Sequence, residues 1–128
     1  MEYYFSKTIT DSFDNAIQKV TEALKAEGFG ILTEIDIKAT LKKKLDVDFY
    51  NYKILGACNP HYAYKALLAE DKTGTMLPCN VIVQEKVESQ VEVSAVDPAA
   101  SMQAIDNKDL QDIVTEIRGR LQKVIEQL

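Results

Sequence analysis

The C-terminal segment constrains this chain more than any other stretch. From Asp109 to its end, Leu110, Ile113, Val114, Ile117, Leu121, Val124, Ile125 and Leu128 recur at three- and four-residue intervals. That spacing lines one face of an α-helix for about five turns, roughly Asp109 to Glu126. A stripe so broad needs a surface to cover it, because helices in proteins owe most of their stability to packing rather than to propensity. The rest of the chain must supply that surface.

The surface reads as a sheet. Glu2 to Thr8 alternates around Tyr3, Phe5 and Ile9, which predicts a first strand. Thr10, Asp11 and Ser12 offer N-cap oxygens, and Phe13, Ile17, Val20 and Leu24 follow at helical spacing with Ala16 and Ala23 beside them. "EGFG" ends that helix, with Gly28 suited to the left-handed position. Phe29, Ile31, Thr33 and Ile35 alternate as a second strand. "DIKATLKKKLDVDF" predicts a short amphipathic helix with Ile37, Leu41 and Leu45 on one face. Asn51 to Ala57 predicts a third strand, with Tyr52, Ile54 and Gly56 on one side. Asn59 as N-cap and Pro60 as first residue then open the helix "PHYAYKALLAE". Val81 and Val83 begin a fourth strand; Val91, Val93 and Ala95 form a fifth across the turn at Glu88–Ser89. Asp97, just before Pro98, reads as a turn former. The pattern predicts an α+β, two-layer sandwich: about five mostly antiparallel strands, with the first and last helices on one face.

Composition agrees with one domain spanning residues 1–128. Hydrophobic residues make up 46% and charged residues 27% of the chain, enough for a core without metal or disulfide staples. A net charge of −5 argues against a phosphate-backbone binder, so no nucleic-acid partner is expected. "MEYYFSKTITDSF" turns polar too soon for a signal peptide. No apolar run approaches the ~18 residues of a membrane span. The expected setting is the cytoplasm, away from membranes, where thiols stay reduced. Lys38, Lys42, Lys43 and Lys44 form the one basic cluster and read as a solvated helix face before an anion site.

Chemistry concentrates in an echo. The chain has two cysteines, and each is followed by asparagine: Cys58-Asn59 in "LGACNP" and Cys79-Asn80 in "LPCNV". Cys58 ends a strand beside a helix N-terminus, whose dipole would stabilise a thiolate. Four readings follow. The thiols are buried hydrophobes at strand ends; or they form a redox or ligand-binding pair; or Cys58 with His61, and Met76 with Cys79, hold a soft metal; or His61 serves a cysteine hydrolase as base. The six tyrosines are candidates for a pocket wall or for ordinary packing. Nothing matches a Walker loop, a Rossmann glycine triplet or a nucleophile elbow, and no cofactor is implied.

"GFGILTEID", "LGACNP" and "LPCNV" in combination resemble the domain of unknown function 302 family, over nearly the whole chain. The positions that carry the resemblance are Gly28, Gly56, Cys58, Asn59, Pro60, Pro78, Cys79 and Asn80. It implies a compact α+β domain that assembles as a homodimer. His61 and Met76 lie outside the pattern, which weakens the metal and hydrolase readings. The expectation is therefore a homodimer that binds a small molecule or a reactive sulfur species beside Cys58, Asn59, Cys79 and Asn80. The rivals are a thiol enzyme using Cys58, an oxidoreductase or sulfur-transfer protein, and an interaction module with no chemistry. Leu32, Leu55, Ile82 and Val96 are expected on the uncovered sheet face, where they would meet the second copy. The two cysteines are expected at the same end of the sheet.

Overall fold

Ser12 opens the first helix by accepting from the backbone N–H of Asn15 at 3.2 Å, and the rest of the chain can be followed from there. The computed structural model describes residues 2–128. The elements run β1 (Tyr4–Thr10), α1 (Phe13–Ala26), β2 (Gly30–Asp36), α2 (Ile37–Leu45), β3 (Asn51–Cys58) and α3 (Pro60–Ala69). A 3₁₀ segment, Asp71–Met76, precedes β4 (Cys79–Val87), β5 (Gln90–Val96), α4 (Pro98–Ser101) and α5 (Lys108–Glu126). The five strands form one antiparallel sheet in the order β1-β5-β4-β3-β2. Among the described residues, no helix is long and apolar enough to cross a membrane.

Both terminal helices lie on one face of the sheet, as expected. Ala16, Val20 and Leu24 of α1 and Ile117, Leu121 and Val124 of α5 enclose Leu55, Val81, Val83, Val91, Val93 and Ala95 from the three central strands. Alternation in a pleated strand sends the neighbours of these residues to the other side. That side carries Tyr52, Asn80, Ile82, Gln84, Glu92 and Ser94 around a shallow groove.

α1 ends in a Schellman turn. Gly28 has φ +86°, and its N–H meets the Lys25 carbonyl at 3.0 Å while Phe29 N–H meets the Leu24 carbonyl at 2.9 Å. Both orphan carbonyls are thereby satisfied, and Phe29 is turned into the core beside Leu24. At the same end of the sheet, just after β5, Asp97 caps α4 through Ala99 N–H. Arg118 of α5 meets both Asp97 carboxylate oxygens at 3.1 Å and lies over the Phe5 ring of β1. With Asp97 almost wholly buried, this forked contact orients α5 on the sheet.

Three expectations are corrected. Leu55 is fully buried against the helices rather than on the open face, because it has the parity of Ala57 and opposes Val81 in the ladder. The open face is correspondingly more polar than expected. α2 buries none of its residues, and Leu45 is exposed. Lys42 instead engages loop acids, meeting Asp46 at 3.1 Å and Asp48 at 3.3 Å. The first strand begins at Tyr4 and runs to Thr10, two residues later than the alternation predicted at each end.

Two stability tests follow. Leu121 has no solvent exposure, so Leu121→Ala should lower the unfolding free energy by ~2–5 kcal/mol in a urea melt. A loss under half a kcal/mol would place the stripe at a surface. At Gly56 a methyl group would overlap Thr33 Oγ1 and come within 2.8 Å of Pro78 Cγ. Gly56→Ala should therefore cost ~1–3 kcal/mol through overpacking, whereas a neutral result in the same melt would show that Thr33 of the neighbouring strand and Pro78 can retreat.

Candidate functional site

β3 and β4 are antiparallel neighbours, with Ala57 opposite Cys79. Cys58 is the next residue after that pair, so the two cysteines lie at the same end of the sheet on adjacent strands. The chain leaves β3 into α3 and returns to β4 through the 3₁₀ segment, which packs back on α3. This excursion hangs beyond the sheet edge and rests on α5. Between them lies a cavity of about 330 Å³. Ala57, Cys58 and Cys79 contribute from the sheet, Ala63 and Ala66 from α3, and Leu110, Ile113 and Ile117 from α5.

The polar residues at this end behave differently from the sequence expectation. Asn59 is the N-cap residue of α3, but its side chain makes no capping bond. Its Nδ2 instead donates to the Glu27 carbonyl at the end of α1, at 3.2 Å. The amide lies directly over Gly28, where a Cβ would approach Nδ2 to 3.0 Å. Gly28 thus serves two ends at once: its φ closes α1, and its missing side chain admits Asn59. The competitor that won over local capping is a tertiary hydrogen bond.

The thiols also differ from expectation. The α3 dipole was expected to favour a thiolate at Cys58, but burial raises the Cys58 pKa above its ordinary value. Burial, with a smaller contribution from nearby Cys58, pushes Cys79 up to about 11. Desolvation penalises the anion throughout an apolar cavity, whereas a helix dipole acts only near its end and is worth about 0.3–1 kcal/mol. Desolvation wins. Both cysteines are free thiols.

Of the four residues expected at the site, Cys58, Asn59 and Cys79 line the same cavity. Asn80 does not. It opposes Gly56 in the ladder and projects to the exposed face of the sheet, where it borders the groove with Tyr3, Tyr52 and Ile82. His61 is exposed on α3 and Met76 lies on the outside of the 3₁₀ segment; neither lines the cavity with the cysteines. The methionine that does line it is Met102, just after α4.

Sequence reasoning named Tyr62 only as one of six candidate pocket tyrosines and missed the partners around it. Tyr62 lines the cavity, and its hydroxyl donates to Glu116 Oε1 at 3.2 Å. Arg120 donates to the Tyr62 hydroxyl at 3.3 Å, to Glu116 at 3.3 Å and to the Glu27 carbonyl at 3.2 Å. Its guanidinium stands 5.2 Å from the Tyr62 ring centroid, and the Lys65 ammonium is 5.7 Å away. One signal was available in the sequence: Glu116 and Arg120 stand four apart on the flank of the α5 stripe, the spacing of a helical ion pair.

The same architecture occurs in a solved protein. The crystal structure of an uncharacterized conserved protein DUF302 from Bacillus stearothermophilus matches with a TM-score of 0.91, covering 99% of this chain and 98% of that one. Sequence identity is 24%, so the likeness is one of fold. No curated protein matches the chain. The family model for the domain of unknown function DUF302 matches residues 5–128, all but the first four positions, and the chain belongs to that family.

Proposed function

We propose that this protein binds a small, largely apolar molecule in the cavity beside Cys58 and Cys79, and does so as a homodimer. The observation that carries the reading is the chemistry of the cavity wall. Apart from Asn59, Tyr62 and the two thiols, every side chain lining its 330 Å³ is apolar. Small-molecule sites have this character: mostly hydrophobic, with a few placed polar groups, at volumes from about 300 Å³ upward. No carboxylate, amine or imidazole lines the wall. A general base for hydrolysis is therefore missing from it.

The thiol-enzyme reading is disfavoured by the same wall. A thiolate is the nucleophile in such chemistry, and burial here holds both thiols in the neutral form. Neutral sulfur suits contact with an apolar or soft, polarisable ligand, a reactive sulfur species among them. The dimer is supported by the open sheet face, where Tyr3, Tyr4, Tyr52, Ile82 and Val96 border the shallow groove. Reduced thiols and the net charge of −5 fit a cytoplasmic setting without nucleic-acid partners.

N-phenyl-1-naphthylamine, a neutral apolar dye, should gain fluorescence on binding the native protein. Ala66→Phe, which fills the cavity from α3, should abolish the gain while the protein still melts cooperatively; an unchanged gain would move the dye elsewhere. Light scattering at micromolar concentration should return about twice the 14.4 kDa chain mass. A result at the single-chain mass would remove the dimer.

The thiols give a pH test. Because the folded state holds Cys79 protonated to about 11, against an ordinary 9.0, the unfolded chain releases its proton first. Stability from this group is intact below pH 9 and is lost as pH rises toward 11, by on the order of 2 kcal/mol. Cys79→Ala should flatten that part of the profile in urea melts taken across this range. An equal decline in both proteins would show that the thiol is not held neutral by the fold.

A further inference from the structure

We infer that the molecule held in this cavity is aromatic, and that three sulfur-bearing side chains on the wall select it over a saturated body of the same size. The inference rests on the binding reading above and names the ligand class. It starts from where the fold puts its sulfur. The chain has two cysteines and three methionines. Both cysteines and Met102 line this one cavity, from the end of β3, the start of β4 and the residue after α4. Positions so far apart in sequence share a wall only through the tertiary fold.

The second observation is that Met102 is held in place. Methionine has three rotatable bonds and ordinarily adapts to whatever space it meets. Here Thr73, which has no solvent exposure, donates its hydroxyl to Met102 Sδ at 3.9 Å. A thioether is a weak acceptor, so a wholly buried hydroxyl spent on one is an unusual pairing, and it fixes the sulfur at the wall. The thiols are held in another way. Dehydration keeps both in the S–H form, a weak donor that a ring can accept through its π face.

The wall also carries two rings of its own, Phe29 and Tyr62. Phe29 is buried beside Leu24, and the Tyr62 hydroxyl is pinned between Glu116 and Arg120. Rings already fixed can meet a third edge-to-face or offset without a further loss of freedom. Sulfur and aromatic rings likewise attract one another beyond the area they bury. A saturated ring of the same size leaves water just as readily but makes neither contact. Size points the same way. An apolar cavity of about 150 Å³ takes one benzene ring, so about 330 Å³ has room for a fused pair.

Displacement of N-phenyl-1-naphthylamine from the native protein at neutral pH provides the measurement. Naphthalene is compared with decahydronaphthalene, and toluene with methylcyclohexane. Each is dosed as a fraction of its own aqueous saturation, which cancels the difference in hydrophobicity within a pair. Naphthalene should displace the dye at a fraction about tenfold below its saturated partner, the sum of several modest sulfur and ring contacts. Toluene should show the same preference. Met102→Leu keeps the apolar volume and removes one sulfur; it should narrow the preference about threefold while the dye still binds. Cys58→Ala, at a half-buried strand end, should narrow it by a similar factor and keeps the test open where Met102→Leu does not fold. Equal displacement within both pairs, or a preference that survives both substitutions unchanged, would overturn the sulfur-selected aromatic ligand. Failure of the dye itself to bind would instead overturn the binding reading on which it rests.

Discussion

The backbone ladder between β3 and β4 begins at Ala57 and Cys79, so the chain joining these strands must leave and re-enter the sheet at one edge. Had the two strands been parallel, a single crossover helix would have packed flat on the sheet and filled the space now empty. Antiparallel pairing needs only a short turn, and the chain between them is much longer than a turn. The surplus folds as α3 and the 3₁₀ segment, which pack on one another and lean on α5 beyond the sheet edge. Helices that lean without a sheet beneath them enclose volume. The cavity is thus a consequence of strand order, and its apolar wall follows because α5 carries one stripe past both the sheet and the excursion.

A single carbonyl then joins the helices around that volume. Glu27 O, at the end of α1, accepts from Asn59 Nδ2 at the start of α3 and from Arg120 Nη1 in the middle of α5, each at 3.2 Å. It lies at the negative end of the α1 dipole, which favours the cation. Gly28 makes the meeting possible: a side chain there would both strain the left-handed turn and crowd the Asn59 amide. Three elements distant in sequence are held by two hydrogen bonds and one missing side chain, and the polar end of the cavity inherits its geometry from them.

The parts legible in the sequence are those set by periodicity and local capping. The α5 stripe, the α1 stripe with Ser12 and Gly28 at its ends, the alternation in β4 and β5, and the Asn59-Pro60 helix start all depend on residues a few positions apart. Leu55 was misplaced because β3 is apolar on both sides: Ile54 and Leu55 have equal claim to the core, and only pairing with Val81 decides it. Asn59 kept its position but changed its role, since a long-range acceptor outcompeted the local one. The cavity itself was not legible. Its wall draws on β2, β3, α3, the 3₁₀ segment, β4, α4 and α5; Leu32, expected on the open face, borders it instead at the β2 bulge, and no local pattern distinguishes Met102 or Ile113 facing a void from the same residue facing a neighbour.

The repeated Cys-Asn pair is clarified by the same parity. In β4, Cys79 faces the helices and Asn80 faces out, so the dipeptide separates an apolar group from a polar one across the sheet. At the end of β3 the strand gives way to a helix, and Cys58 and Asn59 both reach the cavity. The two copies of the motif are therefore not equivalent: one straddles the sheet, the other turns its corner. Cysteine suits both places because burial raises its pKa and favours the neutral thiol. It is small, polarisable and neutral when dehydrated, and the field of one helix end is too weak to charge it against an apolar wall.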